Sequence, residues 1–285
     1  MAAPRLVFDF SATTIPDFDS RCFNSKGNFH SWLVDNITIV CGTKKIFEPK
    51  KYQEEKTLNI NSDKHILVVQ SVKCHIDVSF YKKFQYGKYS GDVFIYNSAV
   101  YSRGQRSFVI RYELTHPSYN KPFFVGYSNH VLIDKATRKP AILTKNMIEW
   151  FDNERVPEQS TKIPRITPPE NTFEDTSMVL SSQIDWYFHL NHSEYNKLCF
   201  DCAAKAVSKN FYRFFHSDIC HYHIKDTFKL QLGECLMGDK LRIITWQDET
   251  KSEIIYFQII RISSNQIVFE MTVIYYKESL SLGKL

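Results

Sequence analysis

A chain of 285 residues with 43% hydrophobic content is long enough for one large domain, or for two that each bury a core of their own. Its 36 basic and 31 acidic residues leave a formal charge of +5, too dilute for a nucleic-acid footprint, and no run of five or six like charges occurs. No apolar stretch of ~18 residues reads as a membrane span, and the N-terminus MAAPRLVFDF lacks the basic-then-apolar layout of a secretion signal, so the expectation is a cytoplasmic protein.

In the first half, Phe29, Trp32, Leu33, Asn36, Ile37 and Val40 recur at helical spacing, with Gly42 where a left-handed C-terminal residue belongs. A polar insert over 43–64 leads into alternating runs at about 65–80, 92–101, 106–116 and 122–134, each reading as a strand. Residues 152–175 hold four of the ten prolines without apolar periodicity, which marks a linker. Beyond it the order recurs. MVLSSQI at 178–184 reads as a strand, a helix follows from about Ser193 to Asn210, and strands follow near 224–235, 240–247, 252–263 and 266–277.

The two halves share a further detail: segments beginning at Gly91 and Gly238 both open with Gly-Asp, alternate, turn through polar residues and alternate again, a hairpin in each copy. The expected class is therefore α+β, with a domain over 1–151, a linker over 152–175 and a second domain over 176–285. Each is one long helix wrapped by an antiparallel sheet. Such a helix is buried almost all round, which explains why its polar side carries Cys, Ala and Phe.

Seven irregularly spaced cysteines suggest reduced thiols. Cys199 and Cys202 lie within the helical pattern as small core residues. The CHYH run at 220–223 suggests zinc, but on a strand Cys220 points away from His221 and His223, so neither a metal nor another cofactor is expected.

The chemistry concentrates in IDWYFHLNHSEY, at 184–195, where an acid, a histidine and an asparagine precede a helix whose first amides lack partners. Asp185 is the candidate general base, His189 its partner or the proton donor to a leaving group, and Asn191 a positioning or carbonyl-polarising group. Tyr187 and Tyr195 are candidate substrate contacts. The amides of 191–195 are candidates to hold an oxyanion. Each residue also has a structural reading: Asp185 as a turn acid, Asn191 or Ser193 as a helix cap, His189 as a satisfied core histidine, and Tyr195 as a helix residue packed on the sheet. Asp17, Asp19 and His30 form a weaker echo in the first half.

This layout resembles the double-hotdog acyl-ACP thioesterases and their acyl-CoA relatives. Their second hotdog carries Asp, three residues, His, Val or Leu, Asn, Asn, two residues and Tyr, matched here by Asp185, His189, Leu190, Asn191 and Tyr195. In the first half Asp19, Gly27, Phe29 and Leu33 are similar to the family's acid, glycine and helix start. VLIDKATRKPAILTKNMIEWF is similar to the strand, turn and short helix that end its first hotdog. Tyr187 stands where the acyl-ACP enzymes have an asparagine with a catalytic role, which shifts weight onto Asp185 and His189.

The resemblance implies two tandem hotdog domains and an acyl-thioester hydrolase. Its substrate would be acyl carrier protein or coenzyme A carrying an acyl chain, with no nucleic acid, and the chain would be a monomer with intramolecular pairing or a homodimer. A non-catalytic acyl-binding protein is the alternative, supported by Tyr187. A hotdog dehydratase fits poorly, because the Gly-Asp pairs are followed by VFIY and KLRI without the Asn-Pro and histidine of that motif.

Overall fold

The computed structural model describes residues 64–83, 95–115, 121–153, 155–158, 162–185 and 187–280. The first-half helix and its Asp17, Asp19 and His30, the insert after it and the Gly91-Asp92 pair lie outside these residues. The described residues fall into two compact units, one of 64–73 and 95–162, the other of 74–83 and 163–280.

In the first unit β2 (Ile95–Arg103), β3 (Ser107–Thr115) and β4 (Phe124–Asp134) form an antiparallel meander, and β1 (His65–Ile76) lies next to β4. The β2–β3 hairpin bulges between Val100 and Ser102. On β3, Phe108, Tyr112 and Leu114 are buried at alternate positions. Phe108 meets Phe151 of α2 (Lys145–Asn153) at 5.5 Å, so the amphipathic helix closes the core through Met147 and Phe151, four residues apart on one face. The strand, turn and short helix expected over 131–151 are thus present. Gly126 is the cross-strand partner of Tyr112, and a Cβ there would lie 2.0 Å from its ring. Only glycine lets that ring lie flat on the neighbouring strand.

The second unit is built on β6 (Ile224–Gln231), β9 (Gln266–Tyr275), β8 (Ile254–Arg261), β7 (Lys240–Gln247) and β5 (Phe173–Met178), antiparallel in that order. Across it lies α3 (His192–Ser208). Ten of its 17 residues are buried, from Ser193 to Val207, which matches a helix enclosed on most sides. Leu198, Phe200, Ala203 and Ala206 among them leave water at about 1.5–3 kcal/mol for each large apolar side chain. Cys199 and Cys202 are fully buried, and the Cys202 thiol faces the Ile243 carbonyl at 3.6 Å. The helix stops where Asn210 turns left-handed at φ 53°, with its amide and that of Phe211 bonded back to Val207 and Ala206.

The end of β1 and α1 (Val78–Lys83) belong to this second unit. The Tyr81 hydroxyl donates to the Ile224 carbonyl at 2.7 Å, His75 pairs with Asp226 at 2.8 Å, and the Tyr276 hydroxyl donates to the Ile76 carbonyl.

Two expectations are corrected here. The strand placed at 178–184 is displaced: β5 occupies Phe173–Met178, beginning inside the expected linker, and Ser181–Gln183 is a 3-10 turn. Its alternation is only half-buried against exposed, typical of an edge strand, and carries little apolar signal. CHYH is not a strand either. Asp218 caps a 3-10 turn over Ile219–His221, and His223 stacks on Tyr81 at 4.3 Å. Ahead of β5, residues 163–169 run over the sheet face opposite α3. There Arg165 Nε donates to Glu270 at 2.8 Å, Gln258 Nε2 donates to the Ile166 carbonyl at 3.0 Å, and Ile166 packs on Trp246, Ile244 and Ile260.

Candidate active site at the start of the buried helix

Residues 183–191 fold into a tight loop. Ile184 and Leu190 form an antiparallel bridge, the Asp185 amide donates to the His189 carbonyl at 2.8 Å, and the Phe188 amide donates to the Asp185 carbonyl at 3.0 Å. Closing it forces Phe188 to φ 65°, unusual for a bulky residue, and its ring is 79% exposed. The Asp185 carboxylate holds the turn, with Oδ1 accepting from the amides of Tyr187 at 2.9 Å and His189 at 3.3 Å. The turn-acid reading is therefore correct for one oxygen of a half-buried carboxylate.

The loop is clamped to the β6–β7 connection, since the Leu190 amide donates to the Cys235 carbonyl at 2.8 Å. That contact brings Glu234 to His189, with Nε2 and Oε2 3.2 Å apart and side chains 22% and 44% exposed. Sequence reasoning missed Glu234. It stands 45 positions away in a loop, without periodicity or a local motif, and only the clamp brings it close.

Asn191 is the N-cap of α3. Its Oδ1 accepts from the Ser193 amide at 3.0 Å and hydroxyl at 2.9 Å, and its own carbonyl accepts from the Glu194 amide. The Asn191 amide donates to Gln183. The expectation that the amides of 191–195 wait for an oxyanion is corrected for three of them: the Asn191 amide donates to the Gln183 carbonyl, that of Ser193 to the Asn191 side chain and that of Glu194 to the Asn191 carbonyl.

Tyr187 is half-buried beside this carboxylate. Burial, and next the charge of Asp185, push its phenol up and keep it a neutral donor. Tyr195 lies deeper, 1% exposed, stacked on Phe269 at 5.2 Å with its hydroxyl beside Cys235 and Gln231. It is a core residue supporting the site from behind. His192 turns inward. Its Nε2 is enclosed without a hydrogen-bond partner, and burial lowers the imidazole to about 4, so it is neutral near pH 7.

The arrangement presents a carboxylate, an imidazole paired with a second carboxylate, a phenol and an amide at the mouth of a buried helix, a set that can move protons at a polarised carbonyl. Among the described residues no group of three His, Cys, Asp or Glu is placed to hold a metal ion, and no helix is long and apolar enough to cross a membrane.

No protein-family model and no curated protein matches the chain. Solved structures do. An acyl-ACP thioesterase from Bacteroides thetaiotaomicron superposes with TM-score 0.67 at 16% identity, over 95% of this chain and 97% of that one. The 12:0-ACP thioesterase from Umbellularia californica gives TM-score 0.69 at 11% identity, over 97% and 99%. An oleoyl thioesterase structure from Lactobacillus plantarum gives 0.66 at 11%, over 90% and 91%. At such identity the likeness speaks to architecture, and it spans nearly the whole chain: this protein has the α+β fold of the double-hotdog acyl-ACP thioesterases.

Proposed function

We propose that the protein is a thioesterase that releases an acyl chain from acyl carrier protein or coenzyme A, built as two tandem hotdogs. The observation that carries the reading is the loop at the start of α3, which brings Asp185, His189 and Glu234 together in a fold shared with acyl-ACP thioesterases. Water attacks the thioester carbonyl carbon while the Asp185 oxygen not used by the turn takes its proton. As the C–S bond breaks, His189 gives a proton to the leaving sulfur, and Glu234 orients the ring. Acid and thiol are the products. Asn191 presents Nδ2 to the carbonyl because its Oδ1 is fixed in the cap, and the neutral Tyr187 phenol is a second donor. No disulfide joins the five described cysteines, which supports a cytoplasmic setting.

The test is hydrolysis of a chain-length series of acyl-CoA and acyl-ACP, followed by thiol release. Asp185→Asn is expected to slow the best substrate by about 10²–10⁴-fold. Equal rates in the two proteins would refute the assigned base. Tyr187 in the asparagine's place and the commitment of Asn191 to the cap favour a second reading, a non-catalytic acyl-binding protein. That reading prevails if acyl ligand binds without turnover.

A further inference from the structure

The second unit carries an open cavity of about 740 Å³ on the face of its sheet turned away from α3. Thr272 and Ile274 of its floor lie on the opposite face of β9 from Phe269, whose ring meets Tyr195 of α3 at 5.2 Å. The floor is ordered by strand register. Trp246, Tyr256, Thr272 and Phe228 are successive cross-strand partners along one row, and Ile254 and Ile274 pair in the next. Four strands make that row about 14 Å long, and the two rows lie about 7 Å apart. One wall is the stretch 163–169, stiffened by Pro164, Pro168 and Pro169, and the other is the β7–β8 turn with Asp248, Glu249 and Thr250. The volume falls in the range of small-molecule pockets, about 300–1,000 Å³, and the floor has room for one flat ring system with a short arm.

Charge selects what the arm carries. Arg165 is the one base among the lining residues, and the buried Glu270 counters it at 2.8 Å. The other wall is acidic. Burial raises the Asp248 carboxyl, but the amides of Thr250 and Lys251 and the hydroxyls of Tyr256 and Thr250 hold it at about 2, so it is ionised near pH 7, and Glu249 stands exposed beside it. The Tyr256 hydroxyl donates to Asp248 Oδ2 at 2.8 Å, and the Tyr256 ring stacks on Trp246 at 5.4 Å. Aromatic faces next to carboxylates attract a cation and repel an anion.

We propose that this cavity binds a small amphipathic amine, its flat ring on the row from Phe228 to Trp246 and its ammonium toward Asp248 and Glu249. The site is independent of the thioesterase reading, because it lies on the other face of the sheet and uses none of the residues assigned to hydrolysis.

The experiment is titration calorimetry of the full chain with three probes that share one ring: tryptamine, the neutral tryptophol and the anionic indole-3-propionate. Tryptamine is expected to bind at least about tenfold more tightly than tryptophol, and indole-3-propionate most weakly. Added salt should weaken the amine and leave the alcohol unchanged. Glu249→Gln, at an exposed position, should cost the amine about 2–5-fold and the alcohol nothing. Tyr256→Leu should weaken amine and alcohol together, with a thermal melt confirming that the variant folds. Equal binding of the three probes, or no binding of the amine at millimolar concentration, overturns the proposal. So does amine binding that survives both substitutions in folded protein, since that places the amine elsewhere.

Discussion

Asn191 commits its carbonyl oxygen to the helix it starts, which separates the two tasks assigned to it. Asn191→Ala removes the cap and is expected to lower stability by about 1 kcal/mol, read by urea denaturation. Asn191→Asp keeps a cap oxygen and loses the amide donor. It should melt like the wild type and still lose rate, whereas full activity in that variant would leave Asn191 a cap alone. Glu234 is tested by comparing substitutions. Glu234→Gln should lower kcat about 10-fold or more with KM little changed, and Glu234→Asp should recover part of it, as an orienting carboxylate requires. The contact with His189 is partly exposed and adds little stability, so these variants should melt normally. The acid, the histidine and the cap were legible in one short stretch because they are local. Their carboxylate partner was not, since a contact across 45 residues leaves no periodic trace.

His192 gives a pH dependence with a definite sign. Its folded imidazole titrates near 4 against an ordinary 6.5, so the unfolded chain takes up the proton first as pH falls. Stability is complete above about 6.5 and is lost progressively toward 4, by on the order of 3 kcal/mol. His192→Phe should flatten that part of the denaturation midpoint plotted against pH. An unchanged slope would place the acid sensitivity elsewhere.

At the scale of elements, α3 and the four strands β6 to β9 match the expected order because long apolar periods dominate there. The miss was β5, an edge strand whose partner face is half-buried and whose sequence, FEDTSM, reads as a linker. In the first unit, the β3–β4 pair turns on Gly126 under the Tyr112 ring. Gly126→Ala should cost about 1–3 kcal/mol through overpacking, measured by thermal melt, and Tyr112→Leu in the same chain should restore much of it. If the double substitution is no more stable than the single one, the ring is not the obstacle.

For the whole molecule, the α+β class could be anticipated from one long buried helical period and a series of alternating runs. How chain segments are shared between the compact units could not, because that depends on specific long-range bonds. The second unit draws on residues 74–83 as well as on 163–280. It also depends on the stretch at 163–169, where Arg165 neutralises Glu270, whose side chain is 3% exposed. Removing the guanidinium alone strands a buried carboxylate. Arg165→Met should therefore destabilise by about 2 kcal/mol or more, and Arg165→Met with Glu270→Met should recover stability.

A single protease nick near residue 160 would consequently not liberate two self-sufficient halves. The downstream fragment would lack Tyr81, His75 and the end of β1, which would leave with the upstream piece. The nicked polypeptides are expected to stay associated on a sizing column and to part only under denaturant. A recombinant C-terminal half should fold poorly until a peptide spanning 74–83 is supplied.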